Sequence, residues 1–255
     1  MYRVFTSSLF AALLFMLVNP CAAEEFDRIK AEGEMSFSMS GQYPPFNFVN
    51  ENNVLSGFDV DVCKEIARRI GVAPKPMSIA WDGIVAGLLA NKYSLICGSM
   101  AITEARLNTI DFSDAYYRSG AQLFVPAISD ITSARQLENM KIGVTLGTTY
   151  EEWVRANLAS VDVRTYKGVP EMVLEIAYGR LDGFITDRIV GAMAIDEKGA
   201  PIKMAGPLLY EEQMGIAFNK GNPKLSNAIN EALAAMKEDG TYHDISVRWL
   251  KVDAR

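Results

Sequence analysis

One arginine in this chain stands where it could grip an anion. In Tyr93 to Gly120, YSLICGSMAITEARLNTIDFSDAYYRSG, a short apolar strand Leu95-Ile96-Cys97 runs to Gly98-Ser99, where the backbone can turn without a bulky Cβ. Thr103 then reads as an N-cap, and Glu104, Ala105 and Arg106 as the first turn of a short helix. Arg106 thus falls just beyond the carboxyl end of a strand, where open α/β sheets hold their ligands. Its guanidinium carries a permanent charge and a planar fork of donors that matches a carboxylate bidentately. The plainer reading is a surface arginine paired with Glu104 or Asp111. Thr148 and Thr149 open another helix, so their amides and hydroxyls suit an anion, or simply cap the helix. Asp187, just past a further strand, reads from spacing alone as a helix cap. Tyr43 and Trp81 on the same footing are aromatics for a core.

Arrangements for catalysis are mostly absent. His243 is the single histidine, placed in a terminal helical stretch and expected on a solvated face, which removes the usual Ser-His and Cys-His nucleophile pairs. There is no His-Glu-x-x-His, paired Cys-x-x-Cys, P-loop or Gly-x-Gly-x-x-Gly, so neither a metal nor a nucleotide cofactor is indicated. Carboxylates could still act as acid or base. The formal net charge is -6, and no basic cluster interrupts it, which argues against nucleic acid or an anionic membrane as partner.

The elements that must position these groups alternate along the chain. Glu34 to Met39 is a half-buried strand by its period and ends at a loop that Pro44 and Pro45 stiffen. Asp59 can cap a helix with Val62, Ile66 and Ile70 on one face, which Gly71 ends. A strand near Lys75 to Ile79 leads through Trp81-Asp82-Gly83 to a helix with Ile84, Val85, Leu88 and Leu89 inward. Strand, helix, strand, helix, strand is the rhythm of a parallel sheet with crossover helices. It restarts after Tyr117, with strands at Gln122 to Pro126, Lys141 to Thr145, Val161 to Tyr166 and Leu181 to Ile185. Helices are expected at Ser133 to Asn139, around Trp153, from Pro170 and over Ile189 to Ile195. Met214 to Asn219 reads as the last strand and Pro223 to Glu238 as an amphipathic helix. Gly240 ends that helix and Thr241 caps a final one reaching Trp249. Leu89 to Ile96 and Ala177 to Phe184 share a pattern of helix end, basic turn and strand. Aligning Lys92 with Arg180 sets Ser99 opposite Asp187, which suggests two similar lobes facing a cleft.

The first residues read as an export signal. Arg3 supplies the positive start, Leu9 to Val18 is an apolar core too short to span a bilayer stably, and Cys21-Ala22-Ala23 offers small residues for cleavage before Glu24. A lipid anchor on Cys21 is the rival, for which Asn19-Pro20 is a poor lead-in. Cleavage would remove Arg3 as the one charge, taking -6 to -7, and leave about 230 residues, enough for one large domain or two lobes. Cys63 and Cys97 could pair in an oxidising compartment. Lying on a helix and inside a strand, they are expected instead as two separately buried thiols.

Gly98-x-Met100-x-Ile102-Thr103-x-x-Arg106 and Asp111-Phe112-Ser113-Asp114-x-Tyr116-Tyr117 together resemble the signature of the polar amino-acid solute-binding proteins of bacterial ABC importers. Gln42-Tyr43-Pro44-Pro45-Phe46, Gly57-Phe58-Asp59-Val60-Asp61, Trp81-Asp82-Gly83-Ile84, Gly147-Thr148-Thr149 and Asp239-Gly240-Thr241-Tyr242 follow in family order, over nearly the whole mature chain. The resemblance implies an α/β, two-lobed type II periplasmic-binding-protein fold, each lobe a mostly parallel sheet with flanking helices. Residues 1–23 would be the signal peptide, 24–117 plus 213–255 the first lobe and 118–212 the second, with hinge crossovers near Tyr117 to Gln122 and Tyr210 to Met214. It further implies a monomeric, cofactor-free periplasmic protein that hands an amino acid to a membrane permease. Arg106 would hold the α-carboxylate with the amides of Ala101 and Thr149, beside Thr148. Asp187 and the Ser99 carbonyl would receive the α-ammonium, and Tyr43 and Trp81 would sandwich the side chain. Ala101 departs from the Ser or Thr usual there, and its missing hydroxyl weakens the ammonium site. Ser40, Thr145 and Leu146 leave the side-chain end uncharged, so a neutral polar or small amino acid is expected over arginine, lysine or glutamate. Cyclohexadienyl dehydratase-like lyases share much of the first-lobe signature, but an acid at Asp187 favours binding; a sensor component is a third reading.

Overall fold

The computed structural model describes residues 24–255, so the expected export signal and Cys21 lie outside the described residues. In chain order the first elements are α1 (Glu25–Glu32), β1 (Glu34–Met39), β2 (Gln42–Tyr43), β3 (Asn47–Val49), β4 (Leu55–Ser56), α2 (Phe58–Ile70) and β5 (Ala73–Ser78). There follow α3 (Ile84–Leu89), β6 (Leu95–Ala101), α4 (Glu104–Leu107), β7 (Ile110–Phe112), β8 (Tyr117–Pro126), β9 (Lys141–Thr145) and α5 (Thr149–Asn157). The last are β10 (Asp162–Tyr166), α6 (Val169–Ala177), β11 (Gly183–Asp187), α7 (Arg188–Lys198), β12 (Ile202–Asn219), α8 (Pro223–Glu238) and α9 (Thr241–Leu250).

Nine strands form one sheet in the order β10-β9-β11-β8-β12-β6-β1-β5, with β7 beside β12. β1 lies parallel between β5 and β6, and β9 parallel between β10 and β11. The two parallel groups meet through β8 and β12, which run antiparallel to each other. Helices cover the parallel strands: β6 is buried along its whole length, as a strand sealed on both faces must be. Val62 and Ile66 of α2 and Leu225, Ile229 and Leu233 of α8 pack with Phe37 and Leu95 in the largest core. Tyr150 and Val154 of α5 close a second core over Ile142, Val144 and Ile185.

Several expectations need correction. Gly57, not Asp59, is the N-cap of α2: at φ 126 it lies where a Cβ would meet the Phe46 carbonyl oxygen at 2.3 Å, and Asp59 sits buried in the first turn of the helix. β6 does not stop at Gly98 but runs on to Ala101 through Ser99 at φ 57. That left-handed residue is held because its amide donates to Tyr116 Oη at 3.0 Å and its Oγ donates to Asp59 at 2.8 Å. The stretch Ser133 to Asn139 makes only a 3-10 turn at Ala134–Gln136, since Leu137 alone of those residues is buried. β12 starts at Ile202, far ahead of Met214. Pro207 lies in the register break between Ala205 and Tyr210, where a missing N–H loses no ladder bond. Gly240, not Thr241, caps α9. The two cysteines are not separate thiols: Cys63 and Cys97 form a disulfide with Cα atoms 6.5 Å apart, because the buried face of α2 packs directly on β6. α1, β2, β3, β4 and β7 were not anticipated, and Gln42 and Tyr43 of β2 had been expected in a loop.

Candidate functional site

A cavity of about 450 Å³ of empty space, part of it open to solvent, lies at the carboxyl ends of β6 and β9, beside β12. Arg106, Ser99 and Ala101 line one side, Thr148 and Thr149 the other, and Tyr43 and Trp81 lie across its width. Asp187 is not among the lining residues and is fully buried.

Each group owes its place to local structure. Thr103 caps α4, its Oγ1 accepting from the Arg106 amide at 3.2 Å, and so fixes where the guanidinium starts. Arg106 Nη1 donates to the Ala101 carbonyl at 2.8 Å. No carboxylate among the described residues pairs with it, neither Glu104 nor Asp111; Asp111 instead accepts from the Gly221 amide at 3.2 Å. Burial pushes the Arg106 pKa down, while Glu152 and Glu212 act the other way. A guanidinium so placed has donors to spare.

Thr148 is the N-cap of α5: its Oγ1 accepts from Glu151 N at 3.3 Å and donates to the Thr145 carbonyl at 2.6 Å. Its hydroxyl is therefore committed, and what α5 offers the cavity is its positive N-terminal end at Thr149. Tyr43 Oη lies 3.2 Å from Tyr150 Oη, and Trp81 Nε1 donates to the Gly147 carbonyl at 3.2 Å, so both aromatics are tied across the cavity.

Asp187 caps α7, with Oδ1 accepting from Ile189 N at 2.7 Å. Its Oδ2 is buried without a hydrogen-bond partner, and burial raises the carboxyl to about 7. Sequence reasoning missed several cavity residues, among them Tyr150, Lys167, Gly168 and Glu212. Glu212 was legible only once β12 was known to extend back from Met214: Tyr210, Glu212 and Met214 alternate onto one face. Burial raises its pKa, and its Oε2 also lacks a partner. Ser40 and Thr145 line the cavity without charge as expected, but Leu146 lies outside it, in an adjoining cleft that Lys167 also lines. No group of metal-binding side chains occurs among the described residues. An unpaired guanidinium, a helix N-terminus, two aromatic faces and nearby carboxylates suit a small zwitterion.

Residues 35–252 match the model of bacterial extracellular solute-binding proteins, family 3. The chain belongs to this family. It is 33% identical over 229 residues to the L-cystine-binding protein TcyJ of Escherichia coli K12, covering 89% of this chain and 86% of that one. Its fold superposes with a TM-score of 0.78 on the arginine-bound form of truncated ArgBP from T. maritima, at 33% identity, covering 82% of this chain and 99% of that one. An ancestral amino acid-binding protein, AncCDT-1, described as a precursor of cyclohexadienyl dehydratase, superposes with a TM-score of 0.84 at 31% identity, over 88% and 99% of the two chains. The family and its solved members are α/β solute-binding proteins, and the arrangement of elements here is theirs.

Proposed function

We propose that this is the exported binding component of an ABC importer, which captures a polar amino acid between two lobes and delivers it to a membrane permease. The observation that carries the reading is Arg106: a half-buried guanidinium with no carboxylate partner among the described residues, lining the same cavity as Thr149 at the N-terminus of α5. Residues 1–23 are the signal peptide in this reading, 24–117 plus 213–255 one lobe and 118–212 the other. The meeting of two parallel strand groups through β8 and β12 supports that division. Arg106, with Thr149 and Ala101 backbone amides and Thr148 beside them, takes the α-carboxylate. Asp187 and Ser99 take the α-ammonium, and Tyr43 and Trp81 enclose the side chain. Periplasmic placement fits the family, and no helix among the described residues is long and apolar enough to cross a membrane.

Lys167 at the side-chain end repels a cationic ligand, and Ser40 and Thr145 offer no acid to offset it. A neutral ligand such as glutamine or cystine should therefore bind more tightly than arginine or lysine. Calorimetric titration of these amino acids and glutamate into unfolded-and-refolded protein tests both points. Absence of binding by all of them would sink the reading; tightest binding by arginine or lysine would sink the charge preference alone.

A further inference from the structure

We propose that Glu212 is a ligand-binding residue that completes the ammonium site, so that the ligand's α-ammonium rests between the carboxylates of Glu212 and Asp187. The inference rests on the reading of an amino-acid ligand.

Glu212 sits on β12 opposite Ser119 of β8 and lines the same cavity as Arg106. No lysine, arginine or histidine among the described residues forms an ion pair with it, and its Oε2 is buried with no hydrogen-bond partner. The nearby Asp187 leaves a buried oxygen, Oδ2, in the same condition. Asp187 pairs with Ala121 of β8 and Glu212 with Ser119, two residues along the same strand, so β8 brings the two acids into one neighbourhood, where Glu212 adds to the upward push on the Asp187 carboxyl. A buried acid and a half-buried one, each with a buried oxygen left unused, call for a cation carrying several N–H donors, and an ammonium offers three.

Position decides which cation. Glu212 lines the cavity with Arg106, Thr149 and Tyr150, and it shares with Thr149 an adjoining cleft that Lys167 does not line, which puts it with the groups that take the α-carboxylate in this reading. The α-ammonium is one carbon from that carboxylate, whereas a side-chain cation would lie several bonds away. Ala101 brings no hydroxyl to this end, so an acid from β12 supplies what β6 does not.

The test uses refolded, ligand-free protein with L-glutamine, L-arginine, L-histidine and L-cystine as probes, each paired with its α-deamino acid. Wild type, Glu212→Gln, Asp187→Asn, the double variant and Arg106→Ala are titrated, and ligand-free melting temperatures are recorded. Glu212→Gln should weaken the amino acids by about tenfold or more, since a charge-assisted bond is lost, while leaving the deamino acids nearly unaffected. A shared ammonium further predicts that the double variant loses less than the product of the two single losses. Affinity within about threefold of wild type in Glu212→Gln would overturn the proposal. So would a loss confined to arginine, which would put Glu212 against the side chain, or an equal loss for amino and deamino acids with a lowered ligand-free melting temperature, which would make it a fold residue. If no probe binds, or Arg106→Ala binds as well as wild type, the amino-acid reading itself has failed.

Discussion

At the scale of the residue, the site is a set of charges whose partners are missing from the chain itself. Arg106 has no carboxylate, so its removal should cost the ligand rather than the fold. Charge-assisted hydrogen bonds contribute roughly 1.5–3 kcal/mol each, so losing a bidentate pair in Arg106→Ala should weaken binding by about two decades or more, read by calorimetry. Asp187 gives a pH signature. Its carboxyl titrates at about 7 in the ligand-free protein, well above the ordinary carboxylate value, mainly because it is buried. A raised folded pKa means that the folded state holds the proton more tightly than the unfolded chain. Stability from this group is therefore fully present below the unfolded value near 4, and is lost as pH rises through about 7. Asp59, raised to about 6 by burial, acts in the same direction, while Asp239 and Asp253, held at about 2, oppose it. Comparison with Asp187→Asn isolates the one group, and asparagine can keep the α7 cap. Between pH 7.5 and 5.5 the wild type should gain melting temperature relative to Asp187→Asn. Over the same range its affinity for an amino acid should fall, because the proposed ammonium contact needs the ionised form. A relative loss of melting temperature on acidification would contradict the assignment.

Among the elements, β6 carries the most consequence, because Ser99 and Ala101 line the cavity from it and α4 with Arg106 follows directly. Two devices pin it. Asp59 reaches from α2 to accept from Ser99 Oγ, from Tyr116 Oη at 2.6 Å and from Asn47 Nδ2 at 2.7 Å, and Asn47 in turn accepts from Ser40 Oγ at 3.0 Å. The Cys63–Cys97 disulfide ties α2 to β6 just before Gly98. It closes a loop of sequence separation 34, for which chain entropy gives about 3–4 kcal/mol. Cys63→Ala with Cys97→Ala should therefore lower the denaturant midpoint by an amount worth about that much, and an unchanged midpoint would show that packing alone fixes β6. These ties were the least legible part of the sequence. Period and caps were enough for β1, β9, α5 and α8, and Thr103 and Thr148 were readable as caps because the signal is local. The disulfide, the Asp59 network and Glu212 depend on how far elements pack or extend, as with β12 through Pro207, and no local pattern carries that.

Over the whole molecule, contacts around the cavity join the proposed lobes. Tyr43 meets Tyr150, Trp81 meets Gly147, and the Gly168 backbone lies against that of Gln42. Each contact joins the residue range 24–117 to the range 118–212, and two are single hydrogen bonds. The two hydrogen bonds can part in a hinge opening about β8 and β12, while the larger core carries residues of both ranges, among them Phe46 and Val169. Gly168 offers a way to hold the two ranges apart. A Cβ added there would meet the Gln42 carbonyl oxygen at 2.5 Å and its Cβ at 2.7 Å, closer than any relaxed contact. The conflict is with backbone, so a rotamer change cannot relieve it. The φ of -174° at Gly168 is open to any residue, so Ala should leave α6 and its surroundings folded. Gly168→Ala is therefore expected to keep the ligand-free melting temperature while weakening the bound amino acid by about tenfold or more, since only the closed state has both halves of the site. Solution scattering separates this from a clash with the ligand. Wild type should contract when saturated with its amino acid, and Gly168→Ala at saturating ligand should stay at the radius of the open form. If the variant contracts as fully as wild type, the glycine is not a closure contact and the two ranges do not move as lobes against it.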